Sequence, residues 1–328
     1  MSLIEALLRE DAVPKAIIMA GGAGAGKSYV SNQFISIAEE NGWQYFNPDK
    51  YARAADPSQR LPLATASKKT EEELGAAVTG EAKPNIIWDT TANNESKVLG
   101  IKENGYITMM VMVYSHPMAS FQANFDRAGK EGEESLPSLG VFQTWIKAYN
   151  SDHIKTYQEA FGENFMLIDN TSKPGVDMKM IADFNKAAQA GPQALQRYVE
   201  GVIANNPEKY SSSQFKQDAV ELPDEVQEAF EAGVVQAGIT FQNEKEEEKL
   251  KKAALKYYEK SGDPMPPAKV GRTNGMEETL ESIRKRDKAA AETKKKIYIE
   301  LAEVMQDVVE ADTTVDEAVA KVKDFINS

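Results

Sequence analysis

Residues 15–34 read KAIIMAGGAGAGKSYVSNQF, and this stretch decides the fold. An apolar run of strand length, Ala16–Ala20, leads into glycine and alanine residues. Lys27 and Ser28 then open a pattern in which Val30, Phe34 and Ile37 stand at i, i+4 and i+7, the spacing of one helix face. Gly21–Ser28 satisfies G-x-x-x-x-G-K-[ST] in a strand–loop–helix context. Backbone N–H groups of such a loop can converge on phosphate oxygens, and any bulky side chain would block the approach. The helix N-terminus adds partial positive charge. The expected ligand is a nucleoside triphosphate, ATP or GTP, held by Gly21, Gly22, Ala23, Gly24, Ala25, Gly26, Lys27, Ser28 and Tyr29. Lys27 would reach the β- and γ-phosphates, and Ser28 would ligate Mg²⁺.

Working outward, strand-like runs recur at 43–46, 85–89, 106–114 and 164–169, with helical patterns between them at 68–79, 94–103 and, as one long helix, 139–161. Continuous apolar strands alternating with helices imply a parallel sheet covered on both faces. The fold class is therefore α/β: a P-loop NTPase-type parallel five-stranded sheet with helices on both faces, followed by an all-helical C-terminal region. The expected organisation is an α/β domain over 1–185, a helical region over 186–260, a Pro/Gly-rich linker at 261–275 and a helical hairpin over 276–328. The last helix is marked by a capping box, Thr314 with Glu317, and by the stripe Val315, Val319, Val322 and Ile326.

Composition narrows the function. The 328 residues carry a net charge of −13, spread over both halves, which disfavours non-specific nucleic-acid binding and leaves a nucleic-acid partner an open question. A local basic segment, IRKRDK to TKKK (283–296), is interleaved with acids and reads as a solvated helix face. There are no cysteines and only two histidines, which excludes thiolate and histidine-rich metal sites and implies a cytoplasmic protein. No stretch of 18 apolar residues is present, so no membrane association is expected. The opening MSLIEALLRE reads as a short amphipathic helix rather than a signal peptide.

Acidic residues at strand ends are the candidates for chemistry. Asp49 follows the second strand, at the sheet edge where open α/β folds bind ligands, and could accept the proton of an acceptor hydroxyl. Arg53, four residues on, could clamp an anionic group of the acceptor. The competing reading makes Asp49 a helix cap in an i, i+4 ion pair with Arg53. Asp89 closes the third strand, where it would support Mg²⁺, directly or through water; otherwise it caps the helix near Asn94. Thr90 and Thr91 place hydroxyls at the same edge for the substrate. In NFDRAGKEGEESLP (124–137), Gly129 and Gly132 could hinge a lid that brings Arg127 to the γ-phosphate and Lys130 to the substrate; an ordinary polar loop is the alternative. LIDN (167–170) is a neighbourhood for the adenine ring, and His116 reads as a strand-end residue.

In order, the glycine loop, FNPDKYAR, WDTTANN, ENGYITMMVMVY, RAGKEGEESLP and FMLIDN resemble the zeta-toxin family of P-loop kinases, akin in fold to polynucleotide kinases and chloramphenicol phosphotransferase. The resemblance covers roughly 15–170, and N-x-D-x-x-x-R is its most specific piece. It implies that Asp49 is the acceptor-hydroxyl base, Arg53 a substrate clamp and Arg127 a lid arginine. Family members with toxin activity phosphorylate a hydroxyl of UDP-N-acetylglucosamine and are restrained by a small antitoxin. Two features depart from the pattern: Asp89 replaces the usual Glu, and the lid carries fewer arginines, with Gln122, Asn124 and Lys147 nearby. The expectation is an ATP/GTP- and Mg²⁺-dependent kinase acting on a hydroxyl of a small molecule or nucleotide-sugar. Its rivals are a polynucleotide or modified-nucleotide kinase and a nucleotide-binding assembly protein. The helical half after 185 is outside the family pattern and could hold a protein partner.

Overall fold

The computed structural model describes residues 13–54, 56, 59–128, 138–173, 175–206, 222–241, 244–266, 274–307, 310–311 and 313–328. The five expected strands form: β1 Lys15–Ala20, β2 Gln44–Phe46, β3 Ile86–Asp89, β4 Ile107–Tyr114 and β5 Phe165–Asp169. They make one sheet in the order β2-β3-β1-β4-β5. Every pairing is parallel, with Ile17 of β1 opposite Ile87 of β3 and Met109 of β4. The central position of β1 puts the glycine loop at the C-terminal edge of the sheet, with β3 on one side and β4 on the other.

Alternation along the strands sorts the core into two layers. Ala16, Ile18 and Ala20 of β1, with Trp88, Met110, Met112 and Leu167, face one layer. It is closed by α4 (Leu63–Thr79), α5 (Glu95–Glu103), α6 (Pro117–Ala128), α7 (Ser138–Ala148), α8 (Ser151–Phe161), α9 (Met178–Gln189) and α10 (Pro192–Asn205). Ile17, Met19, Ile87, Val111 and Ile168 face the other layer, against Val30, Phe34, Ala38 and Trp43. That face is completed by the last helix, α14 (Val315–Asn327), through Ala318, Val319, Val322 and Ile326. The expected capping box forms, with Thr314 and Glu317 bonded reciprocally. Lys15 Nζ donates to the Phe325 carbonyl at 3.1 Å and fixes the C-terminal end of this helix to the start of β1.

The chain divides into two compact units, residues 1–212 with 297–328, and residues 213–296. The division differs from the one read from the sequence. Helix α10 packs on α9, carrying the first unit past 185, and α14 is a layer of the sheet rather than half of a hairpin. The boundary falls inside α13 (Asn274–Val304), whose Ile297, Tyr298, Leu301 and Ala302 lie in the first unit's core. In the second unit α11 (Asp224–Ala237) and α12 (Glu244–Ser261) bury Val226 and Phe230 against Leu250 and Ala254. Most of the basic side chains in 285–296 are exposed. Part of the expected linker, 267–273, lies outside the described residues. Among the described residues no helix is long and apolar enough to cross a membrane.

Two expected helices are broken. Residues 139–161 form α7 and α8 rather than one helix, because Asn150 leaves helical geometry and its side chain caps α8 through the Asp152 N–H at 2.9 Å. The helix after the glycine loop is split into α1 (Lys27–Ser31) and α2 (Ile35–Glu40) around Phe34.

Candidate functional site

At the C-terminal edge of the sheet lies a cleft of about 320 Å³. Its lining includes Ala23, Gly24, Gly26, Lys27, Ser28, Asp49, Arg53, Asp89, Thr90 and Thr91, so most of the candidate residues converge on one space. Gly21, Gly22 and Ala25 form the back of the loop and Tyr29 is exposed; none of these four lines the cleft. The Arg127 side chain, Gly129, Lys130 and Gly132, on which the expected lid rests, lie outside the described residues.

The loop conformation explains its composition. Gly24 has φ +75° and Gly26 φ +95°, where L residues are strained. A Cβ at Gly24 would also fall 2.4 Å from the Ser120 carbonyl oxygen. Inside the loop, the Ala25 N–H donates to the Gly22 carbonyl at 3.2 Å. Lys27 folds back: its Nζ donates to the Gly21 carbonyl at 2.9 Å and stands 3.7 Å from Asp89 Oδ1. From behind, the buried Tyr149 hydroxyl accepts the Gly22 N–H at 2.9 Å and donates to the Val113 carbonyl at 2.5 Å.

Asp89 ends β3 almost fully buried. Burial pushes its carboxyl above the ordinary carboxylate value; Lys27 pulls the other way and Asp49 adds to the rise. It does not cap the following helix. That role belongs to Asn94, whose Oδ1 accepts from the Lys97 N–H at 3.2 Å. Tyr45 on β2 donates to Asp89 Oδ2 at 3.4 Å and accepts from Asn47 Nδ2 at 2.6 Å. Asn47 Oδ1 in turn accepts the Asp49 N–H at 2.8 Å. A hydrogen-bonded chain thus runs from Asp89 through Tyr45 and Asn47 to the backbone of Asp49.

Asp49 opens the one-turn helix α3 (Asp49–Ala52) and caps nothing: Pro48 is the cap residue and gives no side-chain bond. The i, i+4 ion pair is present, with Arg53 Nη1 3.4 Å from Asp49 Oδ2 and each side chain about one-third exposed. Both groups nevertheless line the cleft. Thr90 is tied down, its N–H donating to the Met19 carbonyl at 2.9 Å and its Oγ1 accepting the Ala92 N–H at 3.1 Å. Ala92 itself sits at φ +53°, and its carbonyl accepts the Tyr157 hydroxyl. This holds the turn after β3 in a conformation an alanine rarely adopts.

Sequence reasoning missed Asn47, Pro48, Ala52, Leu63, Ser67, Asn124 and Thr144 as lining residues. Asn47 and Pro48 lie inside the FNPDKYAR motif, a signal that could have found Asn47. Ser67, Asn124 and Thr144 come from separate helices; Asn124 opens the quoted NFDRAGKEGEESLP segment, whereas nothing local marks Ser67 and Thr144. Asn170, of the LIDN segment, donates from Nδ2 to the Ala25 carbonyl at 2.9 Å. His116 is a structural strand-end residue. Its Nδ1 accepts the Met118 N–H and its Nε2 bonds Asn185 Oδ1 at 2.8 Å, while burial lowers its pKa.

Could these residues hold Mg²⁺? Among the oxygen-bearing side chains on the cleft, Ser28 and Asp89 are of the kind a hard cation takes. No cluster of three or more His, Cys, Asp or Glu side chains suited to a metal occurs among the described residues. One carboxylate and one hydroxyl beside a phosphate cradle is the arrangement expected when the remaining ligands are phosphate and water.

No curated protein matches the sequence. Among solved structures, the complex of AvrRxo1-ORF1 with AvrRxo1-ORF2, crystallised with sulphate ions, is 14% identical over 81% of each chain, with a TM-score of 0.40. A structure from the PezAT chromosomal toxin–antitoxin system of Streptococcus pneumoniae is 16% identical over 54% of this chain and 78% of that one, TM-score 0.34. A gluconokinase from Sinorhizobium meliloti is 17% identical over 61% and 98%, TM-score 0.32. The zeta toxin family model matches residues 4–187, which contain all five strands and every residue named on the cleft. The chain belongs to the zeta toxin family.

Proposed function

We propose that the chain is an ATP- or GTP-dependent phosphotransferase that moves the γ-phosphate to a hydroxyl of a small molecule or nucleotide-sugar. The observation that carries this reading is the meeting of Gly24, Gly26, Lys27, Ser28, Asp89 and Asp49 on one cleft of about 320 Å³. A phosphate cradle alone would serve a switch or a motor equally well; a carboxylate facing it across a gap is what an alcohol acceptor requires.

In this reading the triphosphate lies along the loop and α1. Lys27 leaves the Gly21 carbonyl for the β- and γ-phosphate oxygens. Ser28 and Asp89 would hold Mg²⁺, which would supply charge compensation for the phosphoryl group in transfer. Asp49 releases Arg53, accepts a hydrogen bond from the acceptor hydroxyl and takes its proton late in transfer. Arg53 then orients the acceptor. Thr91, Ser67, Asn124 and Thr144 supply uncharged hydrogen-bonding groups around it, and Leu63 an apolar wall. The reading also assigns Arg127 the stabilisation of transition-state charge and Lys130 a contact with the acceptor.

The test is transfer of labelled γ-phosphate from ATP and GTP to UDP-sugars, nucleosides and 5′-hydroxyl oligonucleotides. The reading expects labelling of a small acceptor, lost in Asp49→Ala while nucleotide binding persists. Full transfer in Asp49→Ala would overturn it. Labelling confined to oligonucleotides would favour a kinase of nucleic-acid ends.

A further inference from the structure

We infer that Asn170 and Lys173, on the turn that leaves β5, are positioning residues that hold the glycine loop in its phosphate-binding shape before any nucleotide arrives. The inference rests on the reading of the loop as a triphosphate cradle and concerns how the empty loop is kept competent.

The argument starts from the trans peptide, in which the C=O of one residue and the N–H of the next point in opposite directions. Asn170 Nδ2 donates to the Ala25 carbonyl at 2.9 Å. Holding that oxygen outward aims the next amide, Gly26 N–H, to the opposite side, where a phosphate would lie. Lys173 Nζ donates to the Gly24 carbonyl. That fixes the Gly24–Ala25 peptide, whose N–H closes the turn on the Gly22 carbonyl at 3.2 Å. Two successive peptide planes are therefore clamped by one short segment of chain. The Lys173 ammonium also places a positive charge beside the loop, which favours an anionic ligand.

Asn170 is itself well anchored. It is almost fully buried, and its N–H donates to the Tyr114 carbonyl at 2.8 Å, extending the β4–β5 ladder by one bond. The clasp also accounts for the glycine at position 26 in a second way, besides its φ. A Cβ there would lie 2.2 Å from Asn170 Nδ2 and would evict the amide. The loop's sequence and the residue after β5 are thus fitted to each other across 145 positions.

An unclasped loop samples other peptide orientations, and the apparent affinity falls by the fraction of time spent competent. Losing one such bond is expected to weaken binding by about five- to twenty-fold. The experiment measures calorimetric affinity of the full chain for Mg²⁺ with a non-hydrolysable ATP analogue, and separately for inorganic tripolyphosphate, which has no base. The variants are Asn170→Ala, Asn170→Asp and Lys173→Ala. The inference expects Asn170→Ala to lose the same factor for both ligands, and Asn170→Asp, which cannot donate, to lose at least as much. Should the Asn170 variants fail to fold, Lys173→Ala, on a half-buried side chain, carries the same expectation. A loss for the nucleotide with tripolyphosphate untouched would mean these residues touch the base or ribose, and would overturn the inference. So would unchanged affinity for both ligands. Failure of the wild-type chain to bind either ligand would refute the triphosphate reading instead.

Discussion

Removing the Tyr149 hydroxyl should loosen the glycine loop from behind without disturbing the aromatic packing. In Tyr149→Phe the ring keeps its place, 5.1 Å from Tyr114 and 5.2 Å from Trp145, centroid to centroid. What disappears is an oxygen that accepts the Gly22 N–H at 2.9 Å and donates to the Val113 carbonyl at 2.5 Å. The hydroxyl is fully buried, and burial raises its pKa, so it is neutral and able to donate at any physiological pH. Water cannot replace it without room, so a buried amide is left facing a ring edge. That costs about 1–3 kcal/mol. For a unit of this size each kcal/mol lowers Tm by roughly 2–4 °C. Thermal melting of the wild type and Tyr149→Phe measures the total, and hydrogen exchange at the Gly22 amide locates it. The expected result is a lower Tm together with faster exchange at Gly22. A Tm within about 1 °C of the wild type with protection at Gly22 retained would refute the claim that this hydroxyl braces the loop.

Three further expectations follow from the same geometry. Tyr45→Phe, which removes the link from Asp89 towards Asn47, should lower kcat by about tenfold or more while nucleotide affinity changes little; equal losses in both would argue against a positioning role. Asp89 has a folded-state pKa raised above its ordinary 3.8. The folded chain therefore binds this proton more tightly than the unfolded chain, and stability gains as pH falls from neutrality through the Asp89 titration. Asp89→Asn should accordingly be more stable than the wild type at neutral pH, with an advantage that shrinks towards pH 4 in urea denaturation; a constant difference would contradict this. Val322→Ala, at a fully buried position of α14, should cost about 2–3 kcal/mol, read by the same denaturation, whereas a value below 0.5 would show that α14 does not complete the sheet.

Much of this architecture was legible in the sequence because it rests on local signals. The five strands are continuous apolar runs, and the glycine loop is specified by residues whose conformations only glycine tolerates. Asp49, Arg53, Asp89, Thr90 and Thr91 lie on the cleft where the sequence puts them, because strand ends are predictable. The break at Asn150 was hidden because the apolar spacing on either side keeps helical register, and only the cap interrupts it. For α14 the stripe of valines announced that one face is buried, but no periodicity states against what; the partner turned out to be the far face of the sheet. Tyr149, Tyr45, Asn170 and Lys173 act through bonds to residues distant in sequence, and side-chain spacing carries no trace of such pairs. On the alternatives weighed for Asp49 and Asp89, neither caps a helix, while the Asp49–Arg53 ion pair is present. That pair is compatible with the proposed chemistry because both groups remain partly exposed on the cleft, where an acceptor can exchange for the partner.

The central claim is that Asp49 faces the terminal phosphoryl group of a nucleotide seated on Gly24–Ser28. A crystal structure with Mg²⁺ and a non-hydrolysable ATP analogue tests it most directly. The account predicts the γ-phosphate within hydrogen-bonding distance of Lys27 Nζ, the metal between Ser28 and Asp89, and the Asp49 carboxylate on the open side of the γ-phosphate with space for an alcohol between them. A nucleotide bound away from the loop, or one whose γ-phosphate is screened from Asp49 by protein, would contradict it.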